Sequence, residues 1–332
     1  MIFAKTLGAA LRDLLAGDPR VVLLGEDIVD PYGGAFKVTR GLSSEFPERV
    51  RATPISEGAI AGVSAGLALS GYRPIAEIMF GDFLALCFDQ IVNHIAKYGP
   101  MYDGGASCPV VIRTPSGGGR AYGPTHSQSL EKHFMGVPNL RVVAASLQHD
   151  PRAVLADLVG GAAPALHIEH KLLYPLEPAN GDSVLVAQPG DAGTGLPTVA
   201  LRAVDREDCA ATVVAYGYQA ELARRVLERL AIEEEIFAEL LVPAQIAPLD
   251  WAPLEASASV TGRMLTVEEG TARHSWGSEV AAVMGRRLFG RLRRPVEVLA
   301  SAPEVIPGAP AREAEVLVGE RAIETAIREV VR

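Results

Sequence analysis

The sequence predicts an α/β protein with two parallel-sheet domains, and three observations carry the prediction. From Leu7 to about His170, short apolar runs alternate with helical patterns. Between roughly Tyr174 and Asp208 the pattern dissolves into Pro, Gly, Asp and Asn, as an interdomain connection does. From Ala211 the alternation resumes. Strands that alternate with helices imply parallel sheets with crossover helices, and 332 residues suffice for two cores. The expected domains are 1–185 and 208–332, joined by a linker at 186–207.

In the first domain the expected elements are Val21 to Leu24, a helix opening at Glu57, Pro74 to Ile78, a helix from Asp82 to Tyr98, Pro109 to Arg113, Arg141 to Ala145, Pro151 to Val159 and Ala165 to Ile168. The Glu57 helix follows the start signals Pro54 and Ser56 and is small or apolar from Ala59 to Leu69, so burial on most faces is expected. The connection carries Pro175, Pro178, Gly181, Pro189, Gly190, Gly193, Gly195 and Pro197. In the second domain, Ala211 to Ala215, Ala238 to Val242, Arg263 to Val267 and Pro295 to Leu299 read as strands. Helices are expected at Gln219 to Leu230, Trp251 to Ala258, Gly277 to Phe289 and Glu320 to Val331.

Composition narrows the function. Hydrophobic residues make up 48% and charged residues 21%, typical of a packed globular chain. A net charge of -9 argues against nucleic-acid or anionic-membrane surfaces, which call for basic patches. Cys87, Cys108 and Cys209 are odd in number, lack metal-ligand spacing and lie among apolar neighbours. They read as buried thiols in a reducing compartment, so neither disulfide nor zinc is expected. Met1 to Leu15 lacks a signal-peptide core and no run reaches membrane-spanning length, so a cytoplasmic location is expected.

Ligands of open parallel sheets settle beyond the carboxyl ends of strands. Glu57 is the foremost candidate there, because an acid sheltered in an apolar helix has to be neutralised, paired or ligand-bound. An acid in the first turn, stabilised by the helix dipole and still wetted, is the plainer alternative. After the strand Val21 to Leu24 come Gly25-Glu26-Asp27 and Pro31-Tyr32-Gly33-Gly34-Ala35-Phe36; after the strand Pro74 to Ile78 come Met79-Phe80-Gly81-Asp82-Phe83. Thr114-Pro115-Ser116-Gly117-Gly118-Gly119-Arg120 leads into Tyr122 to Ser129, which contains His126. Consecutive glycines allow close backbone approach to a ligand, and a histidine flanked by hydroxyls can shuttle protons near neutrality.

Taken in order and spacing, Gly-Glu-Asp, Tyr-Gly-Gly-Ala-Phe, Thr-Pro-Ile-Ser-Glu, Phe-Asp-Gln-Ile-Val-Asn-His, Arg-Thr-Pro-Ser-Gly-Gly-Gly and His-Ser-Gln-Ser resemble one family. It is the beta subunits of the thiamine-diphosphate-dependent 2-oxoacid dehydrogenases, the decarboxylating component of the pyruvate and branched-chain complexes. Pro248-Leu249-Asp250-Trp251 and Val267-Glu268-Glu269-Gly270 extend the resemblance through the second domain. It implies a transketolase-like pyrimidine-binding domain followed by a transketolase C-terminal-like domain.

The resemblance also implies roles. Glu57 would hydrogen-bond a ring nitrogen of the aminopyrimidine and favour its imino tautomer. Phe83 would stack on the pyrimidine, with Met79 and Phe80 lining the same wall, although packing competes as the explanation for Phe80. His126 would donate a proton or steer the acyl group as it passes to its acceptor, and a histidine tied into its loop is the alternative. Glu26 and Tyr32 would border the cavity.

The family's magnesium-diphosphate motif, Gly-Asp-Gly with later paired asparagines, is absent, so the resemblance implies half a site. Magnesium and the diphosphate would lie on an alpha subunit in an alpha2-beta2 heterotetramer, and no metal ligands are expected on this chain. Residues 160–164, Gly-Gly-Ala-Ala-Pro, offer no side-chain oxygens to a structural potassium. The expected activity is oxidative decarboxylation of a 2-oxoacid with acyl transfer to a lipoyl group on a separate acyltransferase. The alternatives are a two-subunit enzyme passing the acyl or two-carbon unit to a carbonyl or thioester, as in acyloin formation, and a non-catalytic scaffold subunit.

Overall fold

The computed structural model describes residues 1–178, 183–188 and 196–332. Pro189, Gly190, Gly193, Gly195 and Gly181 of the expected connection lie outside the described residues. The chain divides into two units, Met1–Ser116 with His133–Pro178, and Gly117–Lys132 with Ala179–Arg332.

In the first unit, β1 (Val21–Gly25), β2 (Val50–Ala52), β3 (Arg73–Glu77), β4 (Val111–Ser116), β5 (Arg141–Ala144) and β6 (Ala165–His170) lie in the order β5-β6-β4-β3-β1-β2. All pairs are parallel, with Leu23 beside Ile75, Ile75 beside Val111, and Val111 beside Ala165. Strands β1 and β4 are buried along their whole lengths, β1 as an unbroken apolar run and β4 with Arg113, Thr114 and Ser116 buried beside its apolar residues. Helix α1 (Phe3–Gly17) packs on α5 (Pro151–Gly160), whose first turn is capped by Asp150 accepting from the Arg152 amide at 3.0 Å. A short α2 (Leu42–Glu45) precedes β2.

Helix α3 (Glu57–Leu69) opens at Glu57 as expected, but Ser56 makes no side-chain cap. Only one face of α3 is covered. Ile60, Ala61, Ser64, Ala65 and Ala68 are buried, whereas Val63 is 54% exposed and Leu69 41%. Expected burial on most faces is therefore not met within this chain. The helix is apolar all round, and its own sheet can cover only one side.

The helix expected from Asp82 to Tyr98 is irregular: a 3-10 helix at Gly81–Cys87, a π-helix at Gln90–Ile95, then α4 (Tyr98–Met101). The winding follows the apolar spacing. Buried Leu84 and Cys87 are three residues apart, matching 3-10 geometry, and Cys87, Ile91 and Ile95 are four apart, which the wider winding keeps on the face toward α3.

In the second unit, β7 (Val186–Gln188), β8 (Thr198–Arg202), β9 (Ala211–Ala215), β10 (Ala238–Pro243), β12 (Met264–Thr271) and β13 (Glu297–Ser301) are ordered β13-β12-β9-β10-β8-β7. The sheet is parallel from β13 to β10, but β8 runs antiparallel to β10 and β7 antiparallel to β8. Both antiparallel strands fall inside 186–207, so the stretch expected as a linker contributes two strands to this sheet. A short β11 (Gln245–Ala247) follows β10. Helices α6 (Gly217–Glu234) and α10 (Glu320–Val331) pack together on the sheet, burying Val226, Leu230, Ile323 and Ile327 against Val213 and Leu265. Helices α7 (Ala252–Thr261), α8 (Trp276–Arg287) and α9 (Pro310–Val316) complete the unit. Among the described residues no helix is long and apolar enough to cross a membrane.

Candidate functional site

In the first unit the candidate residues gather where strands end. Glu26 follows β1 directly and is 5% exposed; Glu57, in the first turn of α3, is 6% exposed. The Ser56 amide donates to Glu26. Burial raises the pKa of the Glu26 carboxyl, and the charge of Glu57 adds to the rise. Two sheltered acids thus lie close enough for the charge of one to act on the other, and Oε1 of Glu26 has no hydrogen-bond partner. Buried Oγ1 of Thr53 and Oε1 of Gln90 are also without partners. Cys87 lies close enough for the Glu57 charge to act on it: burial first, and then that charge, push its thiol up to about 12.

Met79, Phe80 and Phe83 are all half-buried. Phe83 meets Phe80 edge to face at 5.9 Å between centroids, Phe80 meets Phe36 likewise at 6.0 Å, and Phe36 leans on Tyr174 at 5.0 Å. The Nζ of fully buried Lys171 stands 5.4 Å from the Phe80 ring centre. Tyr32 is 48% exposed, with the Lys37 ammonium 3.4 Å above its ring. The structure thus brings Glu26 together with Glu57 and Phe80 with Phe83, while Tyr32 takes Lys37 as its neighbour.

Sequence reasoning missed a charged cluster inside the same sheet. Arg113 pairs with Glu77 on the neighbouring strand, and its Nε and an η-nitrogen reach both oxygens of Glu169 at 2.9 and 2.5 Å. His167 Nδ1 lies 3.0 Å from Glu169 Oε1, and the Tyr174 hydroxyl donates to Oε2 at 2.7 Å. Burial opposes every charge here. Arg113 and His167 nonetheless hold Glu169 down at about 2, whereas Glu77 is raised because burial outweighs Arg113. The available signal was a titratable residue within or just after each of three mainly apolar strand runs.

His126 belongs to the second unit, on the loop Gly117–Lys132. It is half-buried, with Nδ1 3.0 Å from Thr125 Oγ1. The glycine run in front of it is not open to a ligand as the sequence suggested. The Gly118 amide donates to Glu269 at 2.8 Å, and the Gly119 and Ala121 amides donate to the two oxygens of Glu313 at 2.9 and 2.8 Å. Ser129 donates to Glu269 at 2.9 Å, Tyr216 donates to Glu131 at 2.8 Å, and Lys132 reaches Thr271 Oγ1 at 2.5 Å and the Arg273 carbonyl at 2.8 Å. Glu268 and Glu269 sit where the pairing of β12 with β13 shifts register between Val267 and Thr271, a bulge that aims two consecutive acids inward. Glu268, 1% exposed, accepts from the Gly277 and Trp276 amides at 2.6 and 3.1 Å. Burial, with Glu131 adding to it, outweighs these donors and pushes Glu268 up to about 7.

Two domains on mainly parallel sheets, with a sheltered pair of acids and an aromatic wall in the first, fit the class of thiamine-diphosphate-binding two-domain proteins. Residues 1–177 match the family model described as "Transketolase, pyrimidine binding domain", and residues 202–323 match "Transketolase, C-terminal domain". The chain is 39% identical over 88% of its length to the pyruvate dehydrogenase E1 component subunit beta of Leifsonia xyli, covering 83% of that relative. It is 36% identical over 99% of its length to the 2-oxoisovalerate dehydrogenase subunit beta of Bacillus subtilis, covering 98% of it. The acetoin:2,6-dichlorophenolindophenol oxidoreductase subunit beta of Cupriavidus necator is 33% identical, over 92% of this chain and 90% of that one. A solved structure described as a split gene transketolase, inactive beta4 tetramer, superposes with a TM-score of 0.73 at 24% identity, covering 98% of this chain and 97% of that one, and shares the fold. The chain belongs to the family of thiamine-diphosphate-dependent 2-oxoacid dehydrogenase beta subunits.

The residues present fit the pyrimidine half of that cofactor. A flat, polar-edged ring needs an aromatic wall and buried polar atoms at its rim; Phe80, Phe83 and the unpartnered oxygens of Glu26, Thr53 and Gln90 supply both.

Proposed function

We propose that this chain is the pyrimidine-holding half of an enzyme that oxidatively decarboxylates a 2-oxoacid and passes the acyl group to a lipoyl group on a separate acyltransferase. The observation that carries the reading is the sheltered pair Glu26 and Glu57 at the start of α3. Thiamine diphosphate, when bound, supplies the carbon acid and the electron sink that decarboxylation requires. Glu57 accepts a hydrogen bond at a pyrimidine ring nitrogen and exchanges a proton there. Glu26 sits beside it, and its raised affinity for a proton limits the negative charge the pair carries. Phe83 packs against the ring face, with Phe80 and Met79 behind it. Tyr32 borders the entrance, and His126 holds or moves a proton as the acyl group leaves.

The partner is an alpha subunit that binds magnesium and the diphosphate, in an alpha2-beta2 assembly. The uncovered face of α3, with exposed Val63 and Leu69 and nearby exposed Leu86, supports burial against another subunit. Three buried free thiols support a reducing, cytoplasmic setting.

Calorimetric titration of thiamine diphosphate and magnesium into the chain alone, and into the chain co-purified with an alpha-type subunit, tests the reading. Tight binding only by the pair is expected; tight binding by the chain alone refutes the division of the site. Similarity to acetoin oxidoreductase subunits at 33% and 31% identity favours one second reading, transfer to a different acceptor. Incubating the pair with pyruvate and, in parallel, 2-oxoisovalerate discriminates. Acylation of a lipoyl domain upholds the first reading, and carbon-carbon bond formation without lipoyl acylation upholds the second.

A further inference from the structure

The glycine-rich loop that carries His126 has the appearance of an anion cradle, yet its amides are already taken by the protein's own carboxylates. Gly117, Gly119, Ala121 and Gly123 all have positive φ, a backbone form that turns successive N–H groups inward. The Gly117 amide donates to the Gln128 carbonyl, and the amides of Gly118, Gly119 and Ala121 meet Glu269, 8% exposed at the bulge of β12, and Glu313, 3% exposed on α9. Glu313 grips the loop with both oxygens, one on Gly119 and one on Ala121; Glu269 takes Gly118 and the Ser129 hydroxyl on one oxygen. A Cβ at Gly118 would fall 2.4 Å from Leu317 Cδ1, so the Leu317 side chain would have to shift to admit one. At the far end Lys132 is fixed by Thr271 and Arg273.

We propose that Glu269 and Glu313 are positioning residues for His126. Together they fix both ends of the span Ala121–Ser129 so that the imidazole is presented in one place for acyl handover. Buried carboxylates are costly unless several donors compensate them, and here the donors are backbone amides, so the cost of burial holds a loop. Between those ends Tyr122, Pro124 and Thr125 are exposed, and His126 is held locally by the Gly123 carbonyl and Thr125. A transferring group displaced by about 1 Å loses on the order of 100-fold in rate, so a loosened clamp reads out in the transfer step.

The inference rests on His126 serving acyl handover, and the test separates the two claims. The chain is reconstituted with its alpha-type subunit as wild type, Glu313→Gln, His126→Ala and the double variant. Hydrogen exchange is followed over 117–132, and lipoyl-domain acylation is compared with dye-coupled oxidation of the same 2-oxoacid. Glu313→Gln is expected to speed exchange across the loop and to lower the ratio of lipoyl acylation to dye reduction about 10-fold or more. In the His126→Ala background it should lower that ratio no further. Unchanged exchange in Glu313→Gln overturns the clamp. Faster exchange with a loss that multiplies in the double variant overturns its action through His126. Full lipoyl acylation by His126→Ala refutes the role of His126 instead, while the exchange data still report on the clamp. Should Glu313→Gln fail to assemble, Ser129→Ala, which removes one bond to Glu269, gives the same ordering of outcomes at smaller amplitude.

Discussion

Arg113 and Glu169 face each other on neighbouring strands as a bidentate pair, Nε to Oε1 at 2.9 Å and an η-nitrogen to Oε2 at 2.5 Å, each 1% exposed or less. Glu77 lies on the other flank of Arg113, so one guanidinium compensates two buried acids. Arg113→Met would leave both uncompensated. The expected loss is about 3–5 kcal/mol of stability, read from the denaturant midpoint, whereas Tyr174→Phe, which removes one bond to Glu169, should cost roughly 1–2 kcal/mol. Equal losses in the two variants would contradict this ranking.

Glu57→Gln keeps the shape of the side chain and removes its capacity to take a proton. Activity of the reconstituted pair should fall on the order of 100-fold or more. The far-ultraviolet circular dichroism spectrum should be unchanged. A variant within a few-fold of wild type removes Glu57 from the mechanism.

Glu268 makes stability fall as pH rises. In the fold it keeps its proton up to about 7, whereas the unfolded chain gives it up near 4.5. Across that window the native state binds more protons than the unfolded state, so each pH unit costs roughly 1.4 kcal/mol, about 3 kcal/mol in all, with no further loss above pH 7. Glu169 acts in the opposite sense and in a lower window, losing its contribution as pH falls from 4.5 toward 2. Denaturation midpoints at pH 5, 6, 7 and 8 should therefore show wild type losing stability relative to Glu268→Gln from pH 5 to 7 and the difference levelling off between pH 7 and 8. Parallel profiles would contradict the assignment.

The thiols should be inert in the fold. Burial pushes Cys87 up to about 12 and Cys108 and Cys209 up to about 11, so at pH 8 roughly one thiol in a thousand or fewer is thiolate. Ellman's reagent should find no rapidly reacting thiol in the native protein and all three after denaturation in guanidinium. A fast native equivalent would mark an opened segment.

Gly33 has φ +72, and a Cβ there would lie 2.5 Å from Arg40 Cβ and 2.6 Å from its Cα. Gly33→Ala should lower stability by about 1–3 kcal/mol, since backbone rather than a flexible side chain has to yield. An unchanged melting temperature would show that the Tyr32 loop is not held as described.

The sequence disclosed most where burial and periodicity agree. The runs at Val21, Ala211 and Ala238 and the pattern from Glu320 to Val331 became elements close to the expected bounds. The strands Val186–Gln188 and Thr198–Arg202 were read as connection because they are short, stand among proline and glycine, and are antiparallel, so no crossover helix announces them. For the site, Glu57 declared itself by being an acid in an apolar helix. Arg113, Glu77 and Glu169 did not, because they are far apart in the chain and only strand pairing gathers them: Arg113 is in register with Glu77, and Glu169, level with Pro115, reaches it from the next strand. Glu269 and Glu313 were opaque for a related reason: their partners are backbone amides, which every residue but proline possesses.

The loop from Gly117 to Lys132 is written into the chain ahead of His133, yet its amides answer to carboxylates more than a hundred positions later. A recombination event that swapped the C-terminal domain between two such proteins at the Pro178 junction would set resident amides against foreign residues at 269 and 313. The heritable cassette is therefore the C-terminal domain together with a fragment encoded far upstream, and substitutions in the two should be accepted in step across lineages.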